Sequence, residues 1–343
     1  MTKTLEDLRA LYTSELEPVL ADIRMALRAA KGRAWRLFFI LFPVLCVAGF
    51  LLMGHFSAHG QFVRSGFVSH HHSTAGFNFF PVGVALIGSA LIASIYHAVC
   101  RGKQTARFKD IIIQKMLGLV APEMRYDRKK YIPERQFGKS GIYTSSIDRY
   151  SGEDYFYGKY EGVDLVFSEV HAEKKVSHRD SDGKTHTHYE TIFKGVFFIA
   201  DFNKDFRTST LVIPTTAERT FGGTIGTWIK KMGSAGRGAL VKLENPEFEK
   251  MFAVYAQDAI EARYILTPNI MERMMAIQRR FPGDVAFAFH ASSIYIAIPL
   301  REDFFEPPRA LDFSGVAALY HQLALFFDLV QEMNLTHRIW TKV

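Results

Sequence analysis

The stretch LFFILFPVLCVAGFLLMG, residues 37–54, contains no charged residue, and neither does FNFFPVGVALIGSALIASIYHAV, residues 77–99. A helix rises about 1.5 Å per residue, so roughly 20 apolar residues cross a bilayer core of about 30 Å. The second stretch meets this length, and the first meets it once His55 and Phe56 are added. We therefore predict transmembrane helices over residues 37–56 and 77–100, joined by an external loop over 57–76.

Basic residues flank both predicted helices on the side away from the joining loop. They are Arg24, Arg28, Lys31, Arg33 and Arg36 before the first helix, and Arg101, Lys103, Arg107 and Lys109 after the second. Positively charged flanks stay in the cytoplasm, so both termini are predicted to be cytoplasmic in this multi-pass protein. We expect the same basic residues to contact anionic lipid headgroups.

Residues 1–36 form a short segment before the first predicted span. Its apolar residues follow a 4-3 spacing that Pro18 interrupts, which favours an amphipathic helical arm over a regular coiled coil. The arm would pack on its own cytoplasmic domain or on a helix of a partner.

The segment 101–343 is predicted to be a cytoplasmic α+β domain, with an antiparallel sheet and packed helices. A helix continues from the membrane and ends before Pro122. Asp182-Gly183 marks a hairpin tip, and Asp258, Thr267 and Asp312 are expected to cap helices. The strand-like runs cover 155–160, 163–171, 191–200, 210–213, 251–256, 285–290 and 294–299.

Charge and cysteine content exclude two classes of protein. The chain has 42 Lys and Arg against 35 Asp and Glu, and the excess lies mainly in the two membrane-proximal clusters. Without a basic stripe on the domain, we expect no nucleic-acid partner. The chain has 2 cysteines, Cys46 and Cys100, which is too few for a disulfide scaffold.

Four segments resemble an uncharacterised bacterial membrane-protein family that is defined as a domain of unknown function. They are GKYEGVDLVFSEV (158–170), FKGVFFIADFNKDF (193–206), LVKLENPEFEKMFAVYAQDAIEARYILTPNIMERM (240–274) and SSIYIAIP (292–299). The resemblance implies two N-terminal spans, an α+β cytoplasmic domain and a location in the bacterial inner membrane. It also implies proximity to LemA-like membrane proteins, beside which such proteins are often encoded, and it supplies no catalytic residues.

Three segments contain candidate binding residues. In the hairpin 171–190, His178, His186, His188 and Glu190 could chelate a zinc-like ion, the alternative being a polar, solvated ribbon. In the glycine-rich loop 221–240, Trp228, Lys230, Lys231 and Arg237 could contact lipid or a phosphate, the alternative being a mobile surface loop. The histidine triplet 70–72 in the external loop could likewise bind metal or sense pH, the alternative being a flexible polar loop.

These observations favour a membrane-anchored scaffold or accessory protein whose cytoplasmic domain binds another protein. The chain contains no G-x-S-x-G, H-E-x-x-H or Walker A motif, so we expect neither catalysis nor a cofactor. The predicted partners are membrane lipids and a protein, either a LemA-like membrane protein or a second copy of the chain. The alternative is a membrane-bound enzyme or a ligand or lipid sensor that uses the glycine-rich loop or the histidine hairpin.

Overall fold

The computed structural model describes residues 5–64, 79–180, 182, 184–202, 204–215, 238–333 and 335. The chain divides into two compact units. One is Thr13–Phe108, which we call the helical unit, and the other combines Met1–Tyr12 with Lys109–Val343, which we call the sheet domain.

Two long helices make up most of the helical unit. Helix α1 (Leu5–Leu11), which belongs to the sheet domain, leads through a π-helical turn (Tyr12–Leu16) into α2 (Glu17–Arg64), and α3 covers Phe80–Phe108. The π-helical turn ends at Leu16, two residues before Pro18, whose ring would clash with a carbonyl four residues earlier in a regular α-helix. The predicted interruption at Pro18 is therefore a change in helical pitch and not a break.

Both α2 and α3 are long and apolar enough to cross a membrane. They pack against each other, and the small side chains Ala85 and Ser89 of α3 are buried. Large apolar side chains such as Val47, Leu51 and Leu91 remain exposed. Exposed apolar rows on a packed helix pair are typical of surfaces that contact lipid.

The sheet domain contains one nine-stranded antiparallel sheet, which confirms the predicted α+β class. Its order is β1-β2-β3-β4-β9-β8-β5-β7-β6. The strands are β1 (Met124–Asp127), β2 (Arg149–Tyr160), β3 (Val163–Arg179), β4 (Thr185–Asp201), β5 (Thr210–Pro214), β6 (Ala239–Val241), β7 (Phe252–Ala256), β8 (Ala286–His290) and β9 (Ser293–Pro299).

Helices precede the sheet, follow it and connect its strands. A second π-helical turn covers Lys109–Ile113, directly after α3. The other helices among the described residues are α4 (Gln114–Val120), α5 (Glu134–Lys139), α6 (Pro246–Met251), α7 (Ala259–Ile265), α8 (Pro268–Arg280) and α9 (Phe313–Glu332).

The helix caps expected from the sequence are present. Asp258 accepts a hydrogen bond from the Glu261 backbone N–H, Thr267 accepts one from Ile270, and Asp312 accepts one from Gly315. Each side chain therefore satisfies a backbone donor that the first helical turn leaves free.

The strands differ from prediction mainly in length. β2 begins at Arg149 rather than at residue 155, β3 continues to Arg179, and β4 begins at Thr185. The added residues pair through their backbones, but many of their side chains are exposed, so they lack the apolar alternation that marks a half-buried strand. The two shortest strands, β1 and β6, and the short helices α5 and α6 had no predicted counterpart.

Aromatic side chains fill the core on both faces of the sheet. On one face, Phe137 of α5 packs against Phe197, with ring centroids 4.7 Å apart. On the other face, Phe167 stacks on Phe156 at 4.5 Å and on Phe326 of α9 at 5.4 Å. Burial on both faces explains why the central strands appear in the sequence as continuous apolar runs.

Helix α9 is a third helix long and apolar enough to cross a membrane. Its apolar face is instead part of the domain core, because Phe326 and Phe327 both contact the ring of Phe167. At the start of the helix, Phe313 makes an edge-on contact with Tyr12 at 5.3 Å. Packing within the domain therefore accounts for the hydrophobicity of α9.

Candidate functional site

A buried lysine forms the centre of the charged cluster in the sheet domain. Lys109 opens the π-helical turn after α3, and its side chain is 2% exposed. The Nζ atom lies 2.8 Å from Asp154 Oδ2, 2.6 Å from Glu306 Oε1 and 3.3 Å from Glu153 Oε2. We call Lys109, Glu153, Asp154, Glu169 and Glu306, with the hydroxyl of Tyr126, the buried ion cluster; Lys109 and Asp154 are its fully buried pair, and the Glu153 and Glu306 side chains are 44% and 45% exposed.

An irregularity in β2 turns Asp154 towards Lys109. The β2–β3 register shifts between Glu153 and Phe156, and Asp154 adopts a left-handed φ of 58°. Its backbone N–H donates to the Arg128 carbonyl at 3.1 Å, and its Oδ1 accepts a hydrogen bond from Tyr126. Bulges of this kind redirect a side chain from the position that a regular strand would give it.

Burial and the charges of neighbouring groups both shift the pKa values in the cluster. Burial raises the pKa of Asp154 to about 6, although the charge and hydrogen bond of Lys109 pull in the opposite direction. Burial alone would lower the pKa of Lys109, but the carboxylates, Asp154 first among them, outweigh it and raise the pKa above its ordinary value. Lys109 therefore stays charged, and it is the counterion that allows Asp154 to be buried.

Glu169 links the cluster to the segment before α9. It is the direct register partner of Glu153 across the β2–β3 ladder. Its Oε1 accepts hydrogen bonds from the backbone N–H groups of Phe304 at 2.7 Å and Phe305 at 3.3 Å. Burial, reinforced by the charge of Asp154, raises the pKa of Glu169 to about 7.

The three carboxylates of Glu153, Asp154 and Glu169 lie within 4.8 Å of one another, a spacing that could suit a metal ion. The ammonium group of Lys109 is already ion-paired with two of them. It supplies the positive charge that a cation would supply there. We therefore interpret the cluster as an ion-pair network that joins the turn after α3 to β2, β3 and the segment before α9.

A second feature is the outer half of the β3–β4 hairpin. β2 stops pairing with β3 at Glu173, and β9 pairs with β4 only from Gly195. Between these limits, residues 174–179 and 185–190 pair only with each other among the described strands. We call this two-stranded extension the ribbon arm.

The ribbon arm brings together the histidines that the sequence singled out. His178 is the direct register partner of His186, and its ring lies 5.8 Å from that of His188 at an interplanar angle of 14°. His186 Nε2 is 3.0 Å from Asp180, and His188 Nε2 is 3.3 Å from Glu190. The Glu190 carboxylate also pairs with Lys174 at 3.0 Å.

The other predicted site residues fall into three groups. Arg28, Lys31, Arg33, Arg36, Arg101, Lys103 and Arg107 are exposed, and Arg24 is half-buried and paired with Glu17. Lys109 differs from this set, because its charge is engaged inside the sheet domain. Residues 70–72 and 228, 230, 231 and 237 lie outside the described residues.

One family model and one solved structure match parts of this chain. A family model described as "Protein of unknown function (DUF3137)" matches residues 191–335. No curated protein matches the chain. A search of solved structures finds the crystal structure of the mycobacterial trehalose monomycolate transport factor A, TtfA, with a TM-score of 0.27, 8% sequence identity, and coverage of 61% of this chain and 88% of that chain.

Proposed function

We propose that this chain is a membrane-anchored accessory protein whose sheet domain binds another protein through the ribbon arm. The observation that carries the proposal is the exposed outer edge of β4. From Thr185 to Phe193 this edge has no strand neighbour among the described residues other than β3 on its opposite side. An unpaired edge presents a row of backbone donors and acceptors to an incoming strand.

The composition of this edge supports the proposal. Proteins usually protect exposed edges with lysine, proline or an outward bulge. The sequence THTHYETIF, residues 185–193, contains neither Lys nor Pro and is rich in residues that favour strands. Its register shift against β3 lies at the base of the arm, between Thr191 and Phe193, so residues 185–190 form a regular edge. An isolated two-stranded ribbon is also only marginally stable in water, so a third strand from a partner would stabilise the arm.

The helical unit supplies the anchor in this proposal. α2 and α3 would cross a bacterial inner membrane with both termini in the cytoplasm, since the exposed basic residues lie beyond the apolar stretches. The sheet domain would then face the cytoplasm. A LemA-like membrane protein and a second copy of this chain are the partners to test first.

The test is a pull-down of the full-length protein from native membranes in mild detergent, with partners identified and their stoichiometry measured by mass spectrometry. In a shortened-arm variant, residues 176–188 are replaced by Asn-Gly. Lys175 and Tyr189 are register partners, so the two-residue turn closes the hairpin between them.

We expect the wild type to retain a stoichiometric partner and the shortened-arm variant to lose it while keeping its fold, as judged by circular dichroism. The matched control replaces His178, His186 and His188 by Ala, which changes side chains but leaves the backbone edge in place. Retention of the partner by the shortened-arm variant would contradict binding through the arm. Recovery of the wild type without any partner would contradict the accessory role.

A further inference from the structure

Three imidazole rings share one face of the ribbon arm near its free end. His178 and His186 are directly opposite each other across the ladder, and His188 follows His186 by two residues on the same face. Opposed residues in an antiparallel pair have Cβ atoms about 4.5–5.5 Å apart. Two imidazoles at that separation can direct ring nitrogens to a single ion with bonds of about 2.0–2.1 Å.

Carboxylates already orient two of the three rings. His186 contacts Asp180 through Nε2, and His188 contacts Glu190 through Nε2. Histidines that bind metals usually donate their other ring N–H to a carboxylate, which fixes the tautomer and leaves the second nitrogen free for the ion. Lys174 forms an ion pair with Glu190, so the carboxylate that orients His188 is in place before any ion binds.

We propose that the ribbon arm binds one divalent transition-metal ion through His178, His186 and His188, with Asp180 and Glu190 as orienting groups. Imidazole is a good ligand for zinc, copper and nickel. Unlike the buried ion cluster, whose centre is the ammonium group of Lys109, the three ligands of this site include no lysine. The three histidine side chains are exposed, so rotation about their side-chain torsions can bring the ring nitrogens together without a change in the backbone. This inference is independent of the proposed protein partner, because the ion contacts side chains on one face and an added strand would pair with the backbone edge.

A bound ion would join β3 to β4 at the end of the arm, where neither strand pairs with a third strand among the described residues. The ladder there consists of a single pair of strands with exposed side chains. A cross-strand metal bridge resists fraying of such a ribbon, since opening the ladder would separate the ligands. We therefore expect metal to slow amide exchange in residues 174–190 and to leave exchange in the central strands unchanged.

The experiment uses the full-length protein without a polyhistidine tag, purified in detergent, with residues 70–72 replaced by Ala so that the external triplet cannot compete. Zn²⁺ is titrated by calorimetry, Co²⁺ is followed by its visible absorption, and exchange is measured by mass spectrometry with and without Zn²⁺. We expect one ion per chain, a tetrahedral cobalt spectrum and slower exchange confined to the arm.

Two variants and one control complete the test. His178→Ala with His186→Ala should abolish the cobalt spectrum, and Glu190→Gln should weaken zinc binding on the order of 10- to 100-fold, as expected for an orienting group. His171→Ala, at the base of the same hairpin, should bind as the parent does. The proposal is overturned if the parent binds no metal, or if the double variant binds it equally well. Neither result depends on whether a protein partner is recovered.

Discussion

Replacing Lys109 by Met should destabilise the sheet domain strongly, whereas the same substitution at the exposed Lys103 should have little effect. Met has a similar length but removes the cation that faces Asp154, Glu153 and Glu306. Removing one partner of a buried ion pair leaves an uncompensated charge and costs about 3–5 kcal/mol. The loss corresponds to roughly a 10²- to 10⁴-fold fall in the folded-to-unfolded ratio, at about 1.4 kcal/mol per factor of ten.

The loss should depend on pH in a definite direction. Without Lys109, the pKa of Asp154 should rise further above the value of about 6 that burial already imposes. A carboxyl group whose pKa is raised by folding destabilises the folded state above that pKa and ceases to do so below its unfolded pKa. The deficit of Lys109→Met relative to wild type should therefore be larger at pH 8 than at pH 5.

Amide exchange of the full-length protein, followed by mass spectrometry, measures this deficit in peptides from β1 and β2. Lys103→Met is the matched control, because Lys103 is exposed in α3. Adding Asp154→Asn should recover part of the loss, since Asn tolerates the left-handed φ of 58° and removes the unpaired charge. Protection equal to wild type in Lys109→Met, or an equal deficit at both pH values, would refute the reasoning.

Three further substitutions test the rest of the structure. Burial raises the pKa of Glu169 from 4.5 to about 7, so the contribution of Glu169 to stability falls as pH rises between those values. Glu169→Gln should flatten the pH dependence of thermal unfolding in this pH range and should be more stable than wild type at pH 8. An unchanged pH profile would exclude Glu169 as the source of that dependence. Phe167→Ala removes a fully buried ring that stacks on Phe156, and should cost about 3–5 kcal/mol in denaturant unfolding; a cost below about 1 kcal/mol would show that the core is not packed as described. Asp312→Ala removes the hydrogen bond that Asp312 accepts from the Gly315 N–H, and should lower the free energy of unfolding by about 1 kcal/mol in the same assay. Asp312→Ser should remain close to wild type. Equal losses of stability in the two variants would contradict the capping role.

Local signals in the sequence predicted the parts of the fold that local interactions decide. The caps at Asp258, Thr267 and Asp312 depend on residues two or three positions away, and the β8–β9 hairpin depends on a short turn. β1 and β6 were missed because a strand at the sheet edge with only three or four residues shows too little alternation to be recognised.

The buried ion cluster could not be predicted, because its members are far apart in the chain. Lys109 contacts Asp154 and Glu306, and nothing in the local pattern distinguishes it from the exposed basic residues that precede it. The pair Glu153-Asp154 gave no signal either, because the predicted strand began at residue 155 and only the structure places the pair inside β2. The histidines were easier to find, because their spacing on β4 is local and their cross-strand pairing follows from the predicted hairpin tip.

The strand order also has a consequence for the way the chain folds as it is synthesised. β1 to β4 are neighbours in both sequence and space, so each can join the sheet as soon as it leaves the ribosome. β4 cannot pair with β9 until β9 has been synthesised, and β9 is synthesised only after β5 to β8. During that interval the side of β4 that will pair with β9, with its apolar run through Val196, Phe197 and Phe198, has no neighbouring strand. We expect closure of the β4–β9 seam to be the slow step of folding, and the stage at which the nascent chain is most exposed to aggregation.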